Sequence, residues 1–368
     1  MNDSARVLVL ITAGGTGGHV YPALAVAVEL QQRGYDVQWV GTHHGIESRV
    51  VPANGITLHA LSARGMRGKG LLDKLLAMVA VVGGLLQALL LIHRLAPGCV
   101  VGMGGYAAGP AAAAAWLLRV PLIIHEQNAV AGTTNRLLAP LASRIFAGFD
   151  NAFDKRTDVT TVGNPVREQL IHKALEAPWD YHGGRPLRLL VVGGSLGSQP
   201  INEVLPETLK QLQHTLGATA LEVYHQSGEM HLDKLQHGYG ELLQGPVRIE
   251  PYIEDMAAAY AWADLVLCRA GALTVSELTI MGRPALLVPL PHAIGDHQTE
   301  NALSLTRSGG ALLLRQRTLE PQLLAETLVN CIADPAKLAS MAAAATRQAR
   351  PQATADICQA VQEVCPHA

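Results

Sequence analysis

The chain has 368 residues, 49% of them hydrophobic and 16% charged, enough apolar material for two cores, since single cores seldom grow beyond roughly 250–300 residues. A formal net charge of −2 and an aromatic content of 4% exclude a general attraction to nucleic acid and argue against a base-stacking platform. The five cysteines, Cys99, Cys268, Cys331, Cys358 and Cys365, form neither a CxxC pair nor a zinc-like spacing with histidines, so a reducing compartment and no cysteine-held metal are expected.

The stretch ahead of the first strand lacks the length and cleavage pattern of a secretory signal. The first apolar run, Val7–Thr12, leads into Gly14-Gly15-Thr16-Gly17-Gly18-His19 and then a periodic run from Pro22 to Leu30. A buried strand, a glycine turn and a helix in succession bring the backbone close to a ligand and aim N–H groups at an anion. The spacing departs from the dinucleotide pattern, because His19 and Val20 stand where the third glycine would open the helix. The second strand, Val37–Gly41, also ends without the acid that would hold a ribose. NAD binding is therefore not expected. The loop reads either as a structural turn or as a site in which His19 exchanges protons or touches an acceptor.

From Leu75 to Ile92 the sole polar side chain is Gln87, close to the ~18–20 apolar residues of a membrane-spanning helix. The Gly83-Gly84 pair, and a position between strands of one sheet, favour a buried or surface-lying helix instead. Arg64, Arg67, Lys69 and Lys74 precede it, so the segment reads as a cover for the sheet or as a face for anionic lipid headgroups.

Val100–Gly102 runs into Met103-Gly104-Gly105-Tyr106, and Leu122–His125 into Glu126-Gln127-Asn128. Both place polar or glycine residues at a strand's C-terminal edge, where open α/β sheets bind ligands. With Arg144–Ala147 these runs alternate with helical stretches, the pattern of a doubly wound parallel sheet. A linker falls within 151–185, which holds GNPVR at 163–167. A second series then begins at Leu187 and continues through Leu221–His225, Val247–Glu250, Leu265–Cys268, Ala285–Pro289 and Ala311–Leu314. It opens on a second glycine loop, VVGGSLGSQ. In CRAGALTVSE, the turn at Gly271 aims the amides of Ala272 to Thr274 outward. Glu277 reads as a partner for ribose hydroxyls or as first-turn dipole compensation. Asp296-His297-Gln298 offers further sugar contacts. No Asp-x-Asp occurs, so helix N-termini and not a metal are expected to carry a diphosphate.

GGTGGH, GMGGY, HEQN, GNPVR, VVGGSLG, DMAAAYAWAD, CRAGALTVSE and DHQTENA, in that order, resemble the MurG family of bacterial transferases, which add N-acetylglucosamine to lipid I in peptidoglycan synthesis. The resemblance implies a GT-B type α/β fold: two doubly wound, Rossmann-like domains facing each other across a cleft. It assigns 1–166, with a C-terminal helix at about 349–368 packed back on it, to the acceptor and membrane-facing domain, and 167–348 to the UDP-sugar donor domain. It implies inverting, metal-independent transfer from UDP-N-acetylglucosamine to the 4-hydroxyl of the muramyl sugar on undecaprenyl diphosphate, giving lipid II, with no cofactor. Cell-wall biogenesis, cell shape and division would depend on that product. The chain would sit peripherally on the cytoplasmic face of the inner membrane, touching anionic lipid through about 64–94 and no nucleic acid.

By motif match, Thr16, Gly17, Gly18 and Asn128 would contact the donor sugar, Arg167 and Ser195 the diphosphate, and Ile253 the uracil. Ala272, Leu273 and Thr274 would line the phosphates, with Val275 and Ser276 also counted among the residues that bind UDP-N-acetylglucosamine, Glu277 on the ribose and Gln298 on the sugar. Tyr106, His125 and Asn135 would lie on the acceptor side. His19 and Glu126 compete for the role of general base. Other readings on the same fold are a UDP-sugar epimerase, another GT-B transferase, or a membrane-docked nucleotide-sugar-binding subunit without activity of its own.

Overall fold

The computed structural model describes residues 6–62, 71–154, 156–217, 220–291 and 294–365. Among them the chain divides into two units, Met1–Arg167 with Pro351–Ala368, and Glu168–Arg350.

In the first unit, near-continuous apolar runs become strands buried on both faces, as parallel sheets require. The elements are β1 (Leu8–Thr12), α1 (Gly17–Gln32), β2 (Asp36–Gly41), α2 (Glu47–Ala53), β3 (Thr57–Ala60), α3 (Leu71–Leu95), β4 (Cys99–Gly102), α4 (Ala108–Leu117), β5 (Leu122–Glu126), α5 (Thr133–Leu138), β6 (Arg144–Ala147) and β7 (Val159–Thr161). The sheet is parallel in the order β3-β2-β1-β4-β5-β6-β7. Successive side chains of β1 part to opposite faces. Val9 and Ile11 join one core with residues of α1, while Leu10 joins another with Ala111 and Ala115 of α4 and Ile92 of α3.

The second unit holds α6 (Glu168–Glu176), β8 (Leu187–Val192), α7 (Gln199–Leu216), β9 (Leu221–Gln226), α8 (Leu232–Tyr239), β10 (Val247–Glu250), α9 (Met256–Trp262), β11 (Leu265–Cys268), α10 (Ala272–Met281), β12 (Ala285–Leu287), α11 (His297–Arg307), β13 (Ala311–Leu313), α12 (Pro321–Ala333) and α13 (Pro335–Arg347). Its parallel sheet runs β10-β9-β8-β11-β12-β13. The last helix, α14 (Ala353–Val364), packs on α1 of the first unit, with Ile357, Cys358 and Val361 buried in that core. Arg33 Nη1 donates to Gln362 Oε1 at 3.0 Å and Tyr35 Oη to the Cys365 carbonyl at 3.0 Å, fastening it there.

The apolar-run reading passes over two strands, β3 and β7. Both are outer strands, and their sequences, TLHA and VTT, are half polar because one flank has no neighbour to bury it. The long apolar segment is α3, and its uniform composition reflects two apolar faces. Ala88 and Ile92 are buried, and Gly84 faces Pro110 of α4, while Val82, Leu86 and Leu90 are 52%, 57% and 73% exposed. No helix among the described residues is long and apolar enough to cross a membrane. The basic residues Arg64, Arg67 and Lys69 lie outside the described residues, as do the Lys74 side chain and residues 366–368.

Candidate active site

In the first sheet the chain proceeds from β1 to β2 and β3 on one side and resumes with β4 on the other. The switch point thus falls at the C-terminal ends of β1 and β4. The loop after β1 enters α1, whose first bonds run from the N–H groups of His19 and Val20 to the Thr16 carbonyl at 3.1 and 3.2 Å. The amides of Gly17 and Gly18 precede those bonds, and no side chain caps the helix at Thr16. They form the anion-attracting end foreseen for this loop.

The loop is held from below by Glu47, a residue the sequence reading missed. Glu47 is fully buried. Its Oε2 accepts from the Gly15 N–H at 3.1 Å, and its Oε1 from the Thr42 N–H at 3.1 Å and Thr42 Oγ1 at 2.7 Å. A Cβ on Gly14 would come within 2.6 Å of this carboxylate, and one on Gly41 within 2.7 Å of its stem. The sequence signal was present: glycines at 14, 41 and 45, at each of which a Cβ would crowd this one acid.

The loops after β4 and β5 complete this half. At Gly105, whose φ is 81°, a side chain would strike the Gly14 backbone, and the Tyr106 ring packs against Gly15. His19, half-buried, meets Gln127 with Nδ1 to Oε1 at 2.8 Å. Gln127 Nε2 donates to the Met103 carbonyl at 2.9 Å and lies 3.2 Å from His125 Nδ1. His125 Nε2 stands 2.8 Å from the Gly163 carbonyl. His125 has no exposed surface, and its burial pushes its pKa down to about 4.

Glu126, 1% exposed, accepts four bonds. The Asn128 N–H and Nδ2 donate to Oε1 at 2.9 and 3.1 Å, and the Gly132 N–H and Asn135 Nδ2 to Oε2 at 3.0 and 2.9 Å. Asn135 is itself buried and also donates to the His125 carbonyl. The structure thus gathers His19, Tyr106, His125, Glu126, Asn128 and Asn135 into one region. Thr16, Gly18 and Tyr106 are exposed, Gly17, His19 and Asn128 are half-buried, and His125, Glu126 and Asn135 lie beneath them.

The second unit repeats the design at the ends of β8 and β11. After β8, the exposed loop carrying Ser195 closes with the Gly197 N–H donating to the Gly194 carbonyl at 2.9 Å. Gly197 and Gly228 allow that loop and the one after β9 to touch backbone to backbone. Beneath them His225, without exposed surface, pairs with Tyr239 Oη at 2.8 Å and Asn202 Oδ1 at 3.0 Å, and burial lowers its pKa to about 3. Gln226 donates through Nε2 to the Gly194 carbonyl at 2.8 Å and accepts the Ile253 N–H at 3.0 Å.

After β11, α10 starts at Ala272, and its first bond runs from the Val275 N–H to the Gly271 carbonyl at 2.9 Å. The amides of Ala272, Leu273 and Thr274 precede that bond, and no side chain caps the helix. Val275 turns into the core, and Ser276 Oγ donates to the Ala272 carbonyl. Glu277 lies in the second turn, buried and accepting from Tyr260 Oη at 3.1 Å. No acid occupies the first turn, so the dipole-compensation reading of Glu277 does not hold.

Arg269 braces the site's floor, its Nη1 donating to the carbonyls of Val288 and Pro289. Gln298 Oε1 accepts the Leu290 N–H at 2.9 Å and so ties the loop after β12 to the start of α11. Arg167 is exposed immediately ahead of α6. Among the described residues no group of three or more His, Cys, Asp or Glu side chains is placed to hold a metal ion.

Residues 9–147 match the glycosyltransferase family 28 N-terminal domain and residues 188–357 the glycosyltransferase family 28 C-terminal domain. A UDP-N-acetylglucosamine–N-acetylmuramyl-(pentapeptide) pyrophosphoryl-undecaprenol N-acetylglucosamine transferase of Pseudomonas fluorescens is 51% identical over 97% of this chain and 98% of its own length. Among solved structures, MurG of Acinetobacter baumannii is 39% identical with a TM-score of 0.82, covering 97% of this chain and 99% of that one. A putative UDP-N-acetylglucosamine 2-epimerase of Listeria monocytogenes shares the fold at 16% identity, with a TM-score of 0.67 over 98% of this chain and 96% of that one.

Proposed function

The chain belongs to glycosyltransferase family 28, and on that premise we propose that it transfers N-acetylglucosamine from UDP-N-acetylglucosamine to the muramyl 4-hydroxyl of lipid I, yielding lipid II and UDP. The near-full-length likeness to the Pseudomonas fluorescens transferase carries this reading. The epimerase shares no more than the fold.

The amides of Ala272 to Thr274 and the loop bearing Ser195, all of the second unit, bind the diphosphate, and Arg167, immediately ahead of α6, adds a guanidinium. Charge grows there as UDP departs, and each well-aimed donor contributes about 2.7–4 kcal/mol to its stabilisation. Glu277 accepts from the ribose hydroxyls, held in place by Tyr260. The N–H of Ile253 is committed to Gln226, so its backbone contact to uracil runs through its carbonyl. Gln298 reaches the sugar.

In the first unit, Thr16 to Gly18 and Asn128 contact the donor sugar, and Tyr106 flanks the acceptor. The acceptor oxygen attacks the anomeric carbon as the bond to UDP breaks, with inversion, and its proton goes to His19. Glu126 suits that task less well, because its oxygens already accept four bonds. It fixes the loop that carries Gln127 and Asn128.

Docking on anionic lipid at the cytoplasmic face of the inner membrane is supported by the exposed Val82, Leu86 and Leu90 of α3, with Trp116 of α4 and Leu137 of α5 also exposed on this unit. The test is a purified chain supplied with labelled UDP-N-acetylglucosamine and a lipid I analogue, with and without a chelator. Labelled disaccharide and UDP at equal rates are expected. Interconversion of the donor without acceptor, or transfer abolished by the chelator, overturns the reading.

A further inference from the structure

The His125–Gln127–His19 chain has a direction that hydrogen-bond chemistry fixes from both ends. The Gly163 carbonyl can only accept, so His125 donates to it from Nε2, leaving Nδ1 as that ring's acceptor. The Met103 carbonyl can only accept, so the nitrogen of the Gln127 amide faces it, and the same nitrogen supplies the proton that His125 Nδ1 needs. Gln127 Oε1 is then the atom that faces His19, and a carbonyl oxygen can only receive the Nδ1 proton. A flipped Gln127 would oppose oxygen to oxygen at Met103 in a residue only 1% exposed, a costly arrangement.

From this we infer that Gln127 and His125 are positioning residues that lock His19 as the Nδ1-protonated tautomer, so that Nε2 is its proton-accepting nitrogen. The inference rests on the reading of His19 as the base and adds what makes it one. It also gives His125 a different part from the acceptor contact implied by resemblance: fully buried, it acts through Gln127. The low pKa that burial imposes on His125 keeps it neutral at neutral pH, which its accepting Nδ1 requires. Gly104 closes the arrangement. At its φ of 86° a Cβ would lie 2.9 Å from His19 Nδ1 and 3.3 Å from Gln127 Oε1, so any side chain there would push the pair apart.

The experiment is long-range proton–nitrogen NMR on the full chain labelled with 15N-histidine. His19 is assigned among the 15 histidines by the signal that His19→Gln removes. The wild-type protein above the histidine titration range is expected to show a pyrrole-type Nδ1 and a pyridine-type Nε2 at His19. In Gln127→Met, which keeps the length of the side chain and loses its acceptor, His19 should shift toward the Nε2-protonated form. Its kcat should fall ~10–100-fold, with KM for UDP-N-acetylglucosamine within about twofold.

A wild-type His19 protonated at Nε2 overturns the inference, as does an unchanged kcat in Gln127→Met. Should that variant not fold, the wild-type spectrum alone decides. If His19→Ala retained full turnover, the base assignment would fall while the tautomer reading stood on its spectrum, so the two failures are distinguishable.

Discussion

Replacing Glu47 by Gln tests whether the first glycine loop is held by a buried carboxylate. Three donors converge on Glu47: the Gly15 N–H, the Thr42 N–H and Thr42 Oγ1. An amide of the same shape keeps one oxygen and turns an NH2 group toward whichever backbone donor faced the other. One charge-assisted bond, about 1.5–3 kcal/mol, is lost, and a buried donor is left facing a donor, at a cost of about 1–3 kcal/mol, while relaxation of the Thr42 hydroxyl recovers part. The net expectation is a loss of roughly 2–4 kcal/mol from the first unit. Urea unfolding followed by tryptophan fluorescence reads it, because Trp39, fully buried, donates from Nε1 to the Ala13 carbonyl on the same loop. Transfer should drop as the Gly15 turn loosens, whereas affinity for UDP, held by the second unit, should stay within about twofold. An unshifted transition with full turnover would show that the Glu47 carboxylate does not hold the loop.

Further outcomes follow from the same geometry. Glu126→Gln should chiefly lower stability, by about 1–3 kcal/mol, and a variant that folds like wild type yet has lost turnover ~10²–10⁴-fold would return Glu126 to the role of base. Glu277→Ala should raise KM for UDP-N-acetylglucosamine by ~10–150-fold, the equivalent of one charged hydrogen bond, and Tyr260→Phe by less; unchanged KM in both would remove the ribose role. His125 and His225 have folded pKa values lowered to about 4 and about 3, so between those values and roughly 6.5 the unfolded chain binds more protons and stability falls with pH. Each unit should therefore be weaker by about 2 kcal/mol at pH 5 than at pH 7, measured as urea midpoints, and His225→Phe should flatten that slope for the second unit. Leu86→Glu with Leu90→Glu should weaken binding to anionic vesicles while transfer to a soluble acceptor continues; undiminished vesicle binding would exclude α3 as the docking face.

Much of the architecture was legible because a buried parallel strand has no polar face to disguise it. β6 and β11 coincide with their apolar runs, and the outer β10, VRIE, was still bounded correctly, whereas the outer β3 and β7, half polar and only four and three residues long, escaped. The segment from Leu75 to Ile92 read ambiguously for a physical reason: a helix apolar on both its packed and its exposed faces carries no periodic signal. The Gly-loop residues were visible, since glycine runs after strands declare a close backbone approach.

What escaped was the support beneath them. Glu47 sits 32 residues from Gly15, and Gln127 lies 108 residues from His19, and those pairings exist only once the sheet brings the loops together. The Tyr260 hydroxyl that Glu277 accepts from, 17 residues away, was likewise out of reach of a sequence pattern.

If His19 receives the acceptor proton while the second unit holds the leaving diphosphate, steady-state kinetics of His19→Ala should separate the chemical step from donor binding. In that variant kcat should fall ~10²–10⁴-fold, with UDP affinity within about twofold of wild type. Turnover near the wild-type rate, or a loss appearing wholly as weaker UDP binding, would contradict that role of His19.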